Sequence, residues 1–204
     1  SPVLRKAVAE WYRRWYGVEL DPDKEILPLI GSKEGIMHVC MTYINPGDTV
    51  LIPNPGYPTY RSAATIAGAS VMEYSLSSDH DWFPDLKAIG QQLQASGIRR
   101  ALMFVNYPHM PTGQLPVKER FEELVAFAQQ NQVLLIHDNP YSFILNDNPV
   151  SLLSVKGAKE VVIELNSLSK SHNMAGWRIG MLVADSRSVD EILQFKSNMD
   201  SGMF

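Results

Sequence analysis

The sequence predicts an α/β fold, a three-layer sandwich around a mainly parallel central sheet, and three observations carry that expectation. Short apolar runs of strand length, such as Val50-Leu51-Ile52 and Val133-Leu134-Leu135-Ile136, lack the polar alternation of a sheet with one face in water. Stretches with helical spacing separate them, so helix and strand alternate along the chain. Nearly all the unusual residues gather in the loops just after strands, where ligands meet open α/β sheets.

Composition narrows the choice further. The 204 residues are 45% hydrophobic, enough for one well-buried domain. A formal net charge of -4 and a pI near 5.7 provide no basic field for nucleic acid or an anionic membrane, so a small-molecule partner is expected. Cys40 is the only cysteine, which rules out a disulfide framework or a CxxC pattern and fits a reducing, cytoplasmic setting. No apolar run has the length of a membrane span, and the N-terminus lacks a signal-peptide layout. The scattered histidines show no metal-ligand spacing, so no metal is expected. The chain enters a helical pattern directly from Ser1-Pro2 and ends Ser201-Gly202-Met203-Phe204 without a helix stop, so it reads as a piece of something longer.

Leu4, Val8, Trp11 and Trp15 share a helical stripe, and Gly17 supplies a left-handed stop, which predicts a helix over 2–16. A buried strand over 25–30 runs into Gly31-Ser32-Lys33-Glu34-Gly35-Ile36. A strand that turns into a helix through Gly-Ser leaves backbone N–H groups suited to a phosphate, although Ser32 as a plain N-cap with Glu34 in the first turn is the simpler reading of this hexapeptide taken alone. After the Asn45-Pro46-Gly47-Asp48 turn, the strand over 49–53 delivers Asn54-Pro55-Gly56-Tyr57-Pro58. The prolines fix an aromatic ring at a strand end, either to stack on a flat ligand or to pack on the surface.

Helix over 58–67, strand over 70–76 and helix over 84–93, with Pro84 in its first turn, come next. The strand over 100–106 leads into Asn106-Tyr107-Pro108-His109-Met110-Pro111-Thr112-Gly113, followed by a helix over 116–130 with Phe121, Leu124, Val125 and Ala128 inward. The strand over 133–136 ends at Asp138, with Tyr141 three positions on. An acid at a parallel strand tip is costly to bury unless a cation meets it, and a pyridinium nitrogen would serve; a helix-cap or turn role is the alternative. Strands over 161–165 and 177–183 flank Ser167-Leu168-Ser169-Lys170-Ser171-His172-Asn173-Met174-Ala175-Gly176-Trp177-Arg178, and a closing helix covers 190–198.

That last loop holds the central chemistry. A lysine crowded among hydroxyls after an apolar strand is expected to be poorly solvated, which frees its amine for Schiff-base formation. Arg178 offers a fixed fork of donors for a phosphate. Taken alone, the two are an ordinary loop lysine and surface arginine. Together with the acid, the aromatic ring and the phosphate-suited helix start at Gly31-Ser32, they point to pyridoxal phosphate.

The segment from Ser167 through Lys170 to Arg178-Ile179-Gly180 resembles the lysine signature of class I/II, fold-type I, pyridoxal-phosphate-dependent aminotransferases. Gly31 to Ile36, Pro55-Gly56-Tyr57-Pro58, Pro111-Thr112-Gly113 and Asp138 with Tyr141 resemble the same family in the same order. The likeness is greatest to prokaryotic LL-diaminopimelate aminotransferase-like enzymes, through Phe83-Pro84-Asp85-Leu86 and Lys196 to Gly202. The resemblance implies that Lys170, Asp138 and Tyr141 are catalytic: the lysine forms the Schiff base and moves the proton, the acid keeps the ring nitrogen protonated, and the phenol bonds the 3′ oxygen. It implies further that Ser32, Lys33, Ser167, Ser169 and Arg178 hold the phosphate, that Tyr57 stacks on the ring, and that an amino acid and a 2-oxo acid are the substrates.

By the same resemblance, residues 1–204 are the cofactor-binding large domain of a homodimer, without the N-terminal arm and the C-terminal small domain, so this piece alone should transaminate poorly. Met110 stands where the family usually has asparagine. That departure leaves open β-elimination, as in a C–S lyase, on the same fold, and a non-catalytic module is the third possibility.

Overall fold

In the computed structural model, which describes residues 1–200, seven strands form one sheet covered by helices on both faces. The terminal Ser201-Gly202-Met203-Phe204, including the end of the Lys196 to Gly202 motif, lies outside the described residues. In chain order the elements are α1 (Pro2–Tyr16), β1 (Ile26–Leu29), α2 (Ser32–Tyr43), β2 (Thr49–Asn54), α3 (Pro58–Ile66), β3 (Ser70–Ser75) and α4 (Leu86–Ala95). They continue as β4 (Ala101–Asn106), α5 (Lys118–Asn131), β5 (Val133–Asp138), β6 (Val162–Ser167), α6 (Leu168–Ser171), β7 (Gly180–Val183) and α7 (Ser186–Met199).

The sheet order is β1-β7-β6-β5-β4-β2-β3, and β7 alone runs antiparallel to its neighbours. Because the strands are buried on both faces, the core divides in two. Tyr12 of α1, Ile89 of α4, and Phe121 and Leu124 of α5 pack on one side. Ile36 and Val39 of α2, Tyr60 of α3 and Ile192 of α7 pack on the other. The register sets Asn106 opposite Asp138, Asp138 opposite Leu165, and Ser167 opposite Gly180, so the ends of β4 to β7 lie side by side.

The expected elements are present, with shifts that have local causes. α1 does stop at Gly17, whose φ of 65 is left-handed, but its buried positions are Val8, Tyr12 and Tyr16, with Trp15 exposed. The helix is rotated from the predicted stripe because the Tyr12 hydroxyl finds a buried partner in Glu164. Helix α4 starts at Leu86, since Asp85 caps it by accepting from the Ala88 N–H. Asp185 likewise caps α7, which starts at Ser186 and so earlier than expected. The last strand starts at Gly180, not at residue 177: Trp177 closes a 3₁₀ turn and is 71% exposed, with Arg178 left-handed behind it.

No described helix is long and apolar enough to cross a membrane.

Candidate active site

A cavity of about 310 Å³ opens where the ends of the central strands meet the start of α2. All nine predicted site residues line it: Ser32, Lys33, Tyr57, Asp138, Tyr141, Ser167, Ser169, Lys170 and Arg178. A larger surface groove of about 900 Å³ runs between α4 and α5, but it gathers none of them.

At one wall of the cavity, the chain passes from β1 into α2. The N-cap is Gly31, at φ 140, and not Ser32; no side chain caps the helix, so its first N–H groups stay open toward the cavity. Glu34 would repel an anion at this helix start, but its carboxylate is turned away. It accepts from the Ile30 N–H at 2.6 Å and from Lys196 at 2.5 Å, and it meets His38 at 2.8 Å. Burial pushes the Glu34 carboxyl up, yet the His38 and Lys196 contacts outweigh it and bring it down to about 2. The helix mouth therefore keeps its positive character.

Arg178 closes over this junction. A Cβ on Gly31 would lie 2.7 Å from its guanidinium, and a Cβ on Gly180 would lie 2.8 Å from the Gly31 backbone. The two glycines let β7 and the β1–α2 turn approach closely enough to put the guanidinium beside the helix start. One guanidinium N–H donates to the Ala175 carbonyl at 2.9 Å. Ser167 and Ser169 complete the cradle, with their hydroxyls 3.0 Å apart. Helix N–H groups, a guanidinium and two hydroxyls around one space form a site for a phosphate.

Asp138 forms the floor and is only 4% exposed. Its Oδ2 accepts from the Tyr60 hydroxyl at 2.8 Å, whereas its Oδ1 is buried with no partner in the protein. Burial pushes its carboxyl up to about 6, against the hydrogen bond from Tyr60, the charge of His137 and the nearness of the Ser32 hydroxyl. A buried carboxylate oxygen without a protein partner, on a residue that lines the cavity, fits a protonated ring nitrogen, so the donor set and the unpaired acceptor both suit pyridoxal phosphate.

Tyr57 and Tyr141 stand on the other walls. Burial pushes the Tyr57 phenol up, but the nearby Lys33 and Thr59 side chains prevail and hold it below its ordinary value. The Lys33 ammonium lies 5.5 Å from the centre of the Tyr57 ring. Burial, aided by the charge of Asp138, pushes the Tyr141 phenol up, which keeps it a hydrogen-bond donor at neutral pH.

Lys170 lies in α6, a helix of only four residues whose N-cap Ser167 accepts from the Ser169 N–H. The expected crowding is not found: Lys170 is exposed, as are most residues of the loop that follows it. Arg178 does not continue a helix from it but stands alone at φ 53. Sequence reasoning missed Tyr60 and Asn106. The Asn106 amide donates to the Asp138 carbonyl at 2.7 Å, and its oxygen accepts from the Met110 N–H at 2.8 Å, which anchors the Met110 loop on the strand ends. A polar residue ending a buried strand was the available signal for Asn106; Tyr60 carried none beyond helical spacing.

Known proteins resemble this chain in sequence and in fold. A family model described as aminotransferase class I and II matches residues 1–201. LL-diaminopimelate aminotransferase of Dehalococcoides mccartyi is 47% identical over 204 residues, covering 99% of this chain and 52% of its own length. The enzyme of that name from Aquifex aeolicus is 44% identical, covering 98% of this chain and 52% of its own length. Among solved structures, BacF from Bacillus subtilis superposes with a TM-score of 0.93 at 36% identity, over 100% of this chain and 51% of BacF. A probable N-succinyldiaminopimelate aminotransferase from Thermus thermophilus gives 0.90 at 37% identity, over 98% of this chain and 53% of its own. The chain thus spans about half the length of the curated relatives it matches. Family members of this kind generally depend on pyridoxal phosphate and act on amino acids and 2-oxo acids. On the match of the family model and on this identity, the chain belongs to the class I and II aminotransferases.

Proposed function

We propose that residues 1–204 are the cofactor-binding large domain of a pyridoxal-phosphate-dependent aminotransferase that moves an amino group from an amino acid to a 2-oxo acid. The observation that carries this reading is the open Oδ1 of Asp138, a buried acceptor without a protein partner on a residue that lines the cavity with Lys170 and Arg178. When bound, pyridoxal phosphate supplies an aldehyde and an electron-accepting ring. The protein does the rest. Asp138 accepts the ring N–H, Tyr141 donates to the 3′ oxygen, and Tyr57 packs on the ring face. The α2 N–H groups at Ser32 and Lys33, with Ser167, Ser169 and Arg178, hold the phosphate. The Lys170 amine would hold the aldehyde carbon as an imine, with loss of water, and as a free amine beside the substrate it would carry the proton released from the α-carbon.

A homodimer and a cytoplasmic setting belong to the same proposal; the second is supported by a cysteine that is buried and free. The name shared by the relatives makes LL-diaminopimelate the first amino donor to try. Elimination on the same fold is favoured by one feature only, Met110 on the cavity wall. Products separate the two: transfer yields a 2-oxo acid and the aminated cofactor, elimination yields pyruvate and ammonia.

Adding pyridoxal phosphate should produce a visible absorption band, and borohydride should then fix the cofactor on the peptide containing Lys170. Lys170→Ala should abolish both. No band, or trapping that survives the substitution, would refute the assignment.

A further inference from the structure

Behind Asp138, on the other face of the sheet, lies a buried charge pair that the proposed chemistry does not use. His137 and Asp138 are successive residues of β5, so their side chains point to opposite faces. His137 is 0% exposed. Its Nδ1 lies 2.8 Å from the Glu164 Oε2, and its Nε2 lies 3.1 Å from the Tyr107 carbonyl oxygen. A carbonyl can only accept, so the Nε2 carries a proton.

The Nδ1 is settled by the surroundings of Glu164. Its carboxylate, also 0% exposed, accepts from the Tyr12 hydroxyl at 2.8 Å, the Ser151 hydroxyl at 2.7 Å and the Leu152 N–H at 3.2 Å. Burial pushes the Glu164 carboxyl up, but the charge of His137 and these hydrogen bonds outweigh it and hold it below its ordinary value. The Asn139 amide, at 3.5 Å, is a further donor to Glu164, and with donors aimed at both carboxylate oxygens the shared proton sits on the ring, so the His137 Nδ1 carries a proton as well.

We propose that His137 is a positioning residue for Asp138: fixed as an imidazolium between two oxygen acceptors, it supplies a positive charge from behind the sheet that keeps the cavity-lining carboxylate ionised. The Tyr60 hydroxyl also favours the ionised form, but as a donor to Oδ2 on the cavity side of the sheet. His137 acts through charge from the far face and so leaves Oδ1 free for a ring nitrogen. The groups around this pair are accounted for. Glu164 of β6, the Phe121 ring of α5 and the Tyr107 carbonyl face His137; Tyr12 and Tyr16 of α1, Ser151 and Asn139 act on Glu164; and Tyr60 of α3, Ser32 of α2, Tyr57 and Tyr141 act on or around Asp138.

The proposal rests on the reading that Asp138 meets the cofactor ring, but its test uses no cofactor, so the two can fail separately. The whole protein without added pyridoxal phosphate, labelled at histidine ring nitrogens and aspartate carboxyl carbons, is followed by NMR across pH. At pH 7 both His137 nitrogens should give the signature of protonated imidazolium; a neutral ring overturns the proposal without any variant. In His137→Gln, which keeps a donor for Glu164, the Asp138 titration midpoint should move up by about one pH unit. A midpoint that stays or falls overturns it.

Discussion

Asp138 meets two opposed demands: it must be ionised to hold a cationic ring, and it is buried where ionisation is costly. Its carboxyl rises from 3.8 to about 6 on folding, so the native state holds the proton more tightly than the unfolded chain. Without cofactor, stability from this group is complete below about pH 4, falls as pH rises from about 4 to 6, and reaches a deficit of about 3 kcal/mol at neutrality. Asp138→Asn keeps an oxygen for the Tyr60 hydroxyl and removes the charge. It should raise the denaturation midpoint of the cofactor-free protein at pH 7 and flatten the slope between pH 4 and 6, while weakening pyridoxal phosphate binding. Urea unfolding at several pH values measures this, and a less stable variant at pH 7 would contradict it. Asp138 was legible because an acid ending an apolar strand is conspicuous. Tyr60 was not, because its role is a contact across 78 residues of sequence. The exposure of Lys170 was equally hidden, since solvation depends on how the following loop packs.

At the scale of elements, the phosphate cradle depends on how closely β7 approaches the turn from β1 into α2. Gly180 faces the Gly31 backbone, and an added Cβ would sit 2.8 Å from two of its atoms and 3.0 Å from the Ser32 nitrogen. Those contacts are with backbone, which cannot swing aside as a side chain can. Gly180→Ala should therefore push the helix start away from Arg178, at a cost of about 1–3 kcal/mol. Pyridoxal phosphate affinity should fall while binding of the unphosphorylated aldehyde changes little; equal losses for both would place the damage elsewhere. The helices and parallel strands were legible from apolar runs and spacing, apart from their ends. Those ends were set by side chains whose partners a linear pattern does not reveal, as with Asp85 capping α4 and Asp185 capping α7. The left-handed Arg178, which delays the start of the expected strand, likewise has no signature in a run of Trp-Arg-Ile-Gly.

Across the whole molecule, Glu164 joins parts of the chain that are far apart in sequence. It is bound by Tyr12 of α1, His137 of β5 and Ser151 in the connection before β6, and the Tyr12 contact spans 152 residues. Nothing in Val161-Val162-Ile163-Glu164-Leu165 distinguishes this acid from a solvated one at a strand edge; only the three-dimensional arrangement buries it. Removing one member of such a network leaves the others buried and unpaired, which costs more than the pair itself contributes. Glu164→Ala should strand the His137 imidazolium and the Tyr12 hydroxyl and destabilise the protein by about 3–5 kcal/mol in urea unfolding at pH 7. Because folding holds the Glu164 carboxyl below its ordinary value of 4.5, its contribution is present above that pH and lost as pH falls through the folded value. The gap between wild type and variant should therefore narrow in acid. A loss under 1 kcal/mol at pH 7, or a gap that does not close on acidification, would show that α1 is held to the sheet by its apolar face and not by this charge.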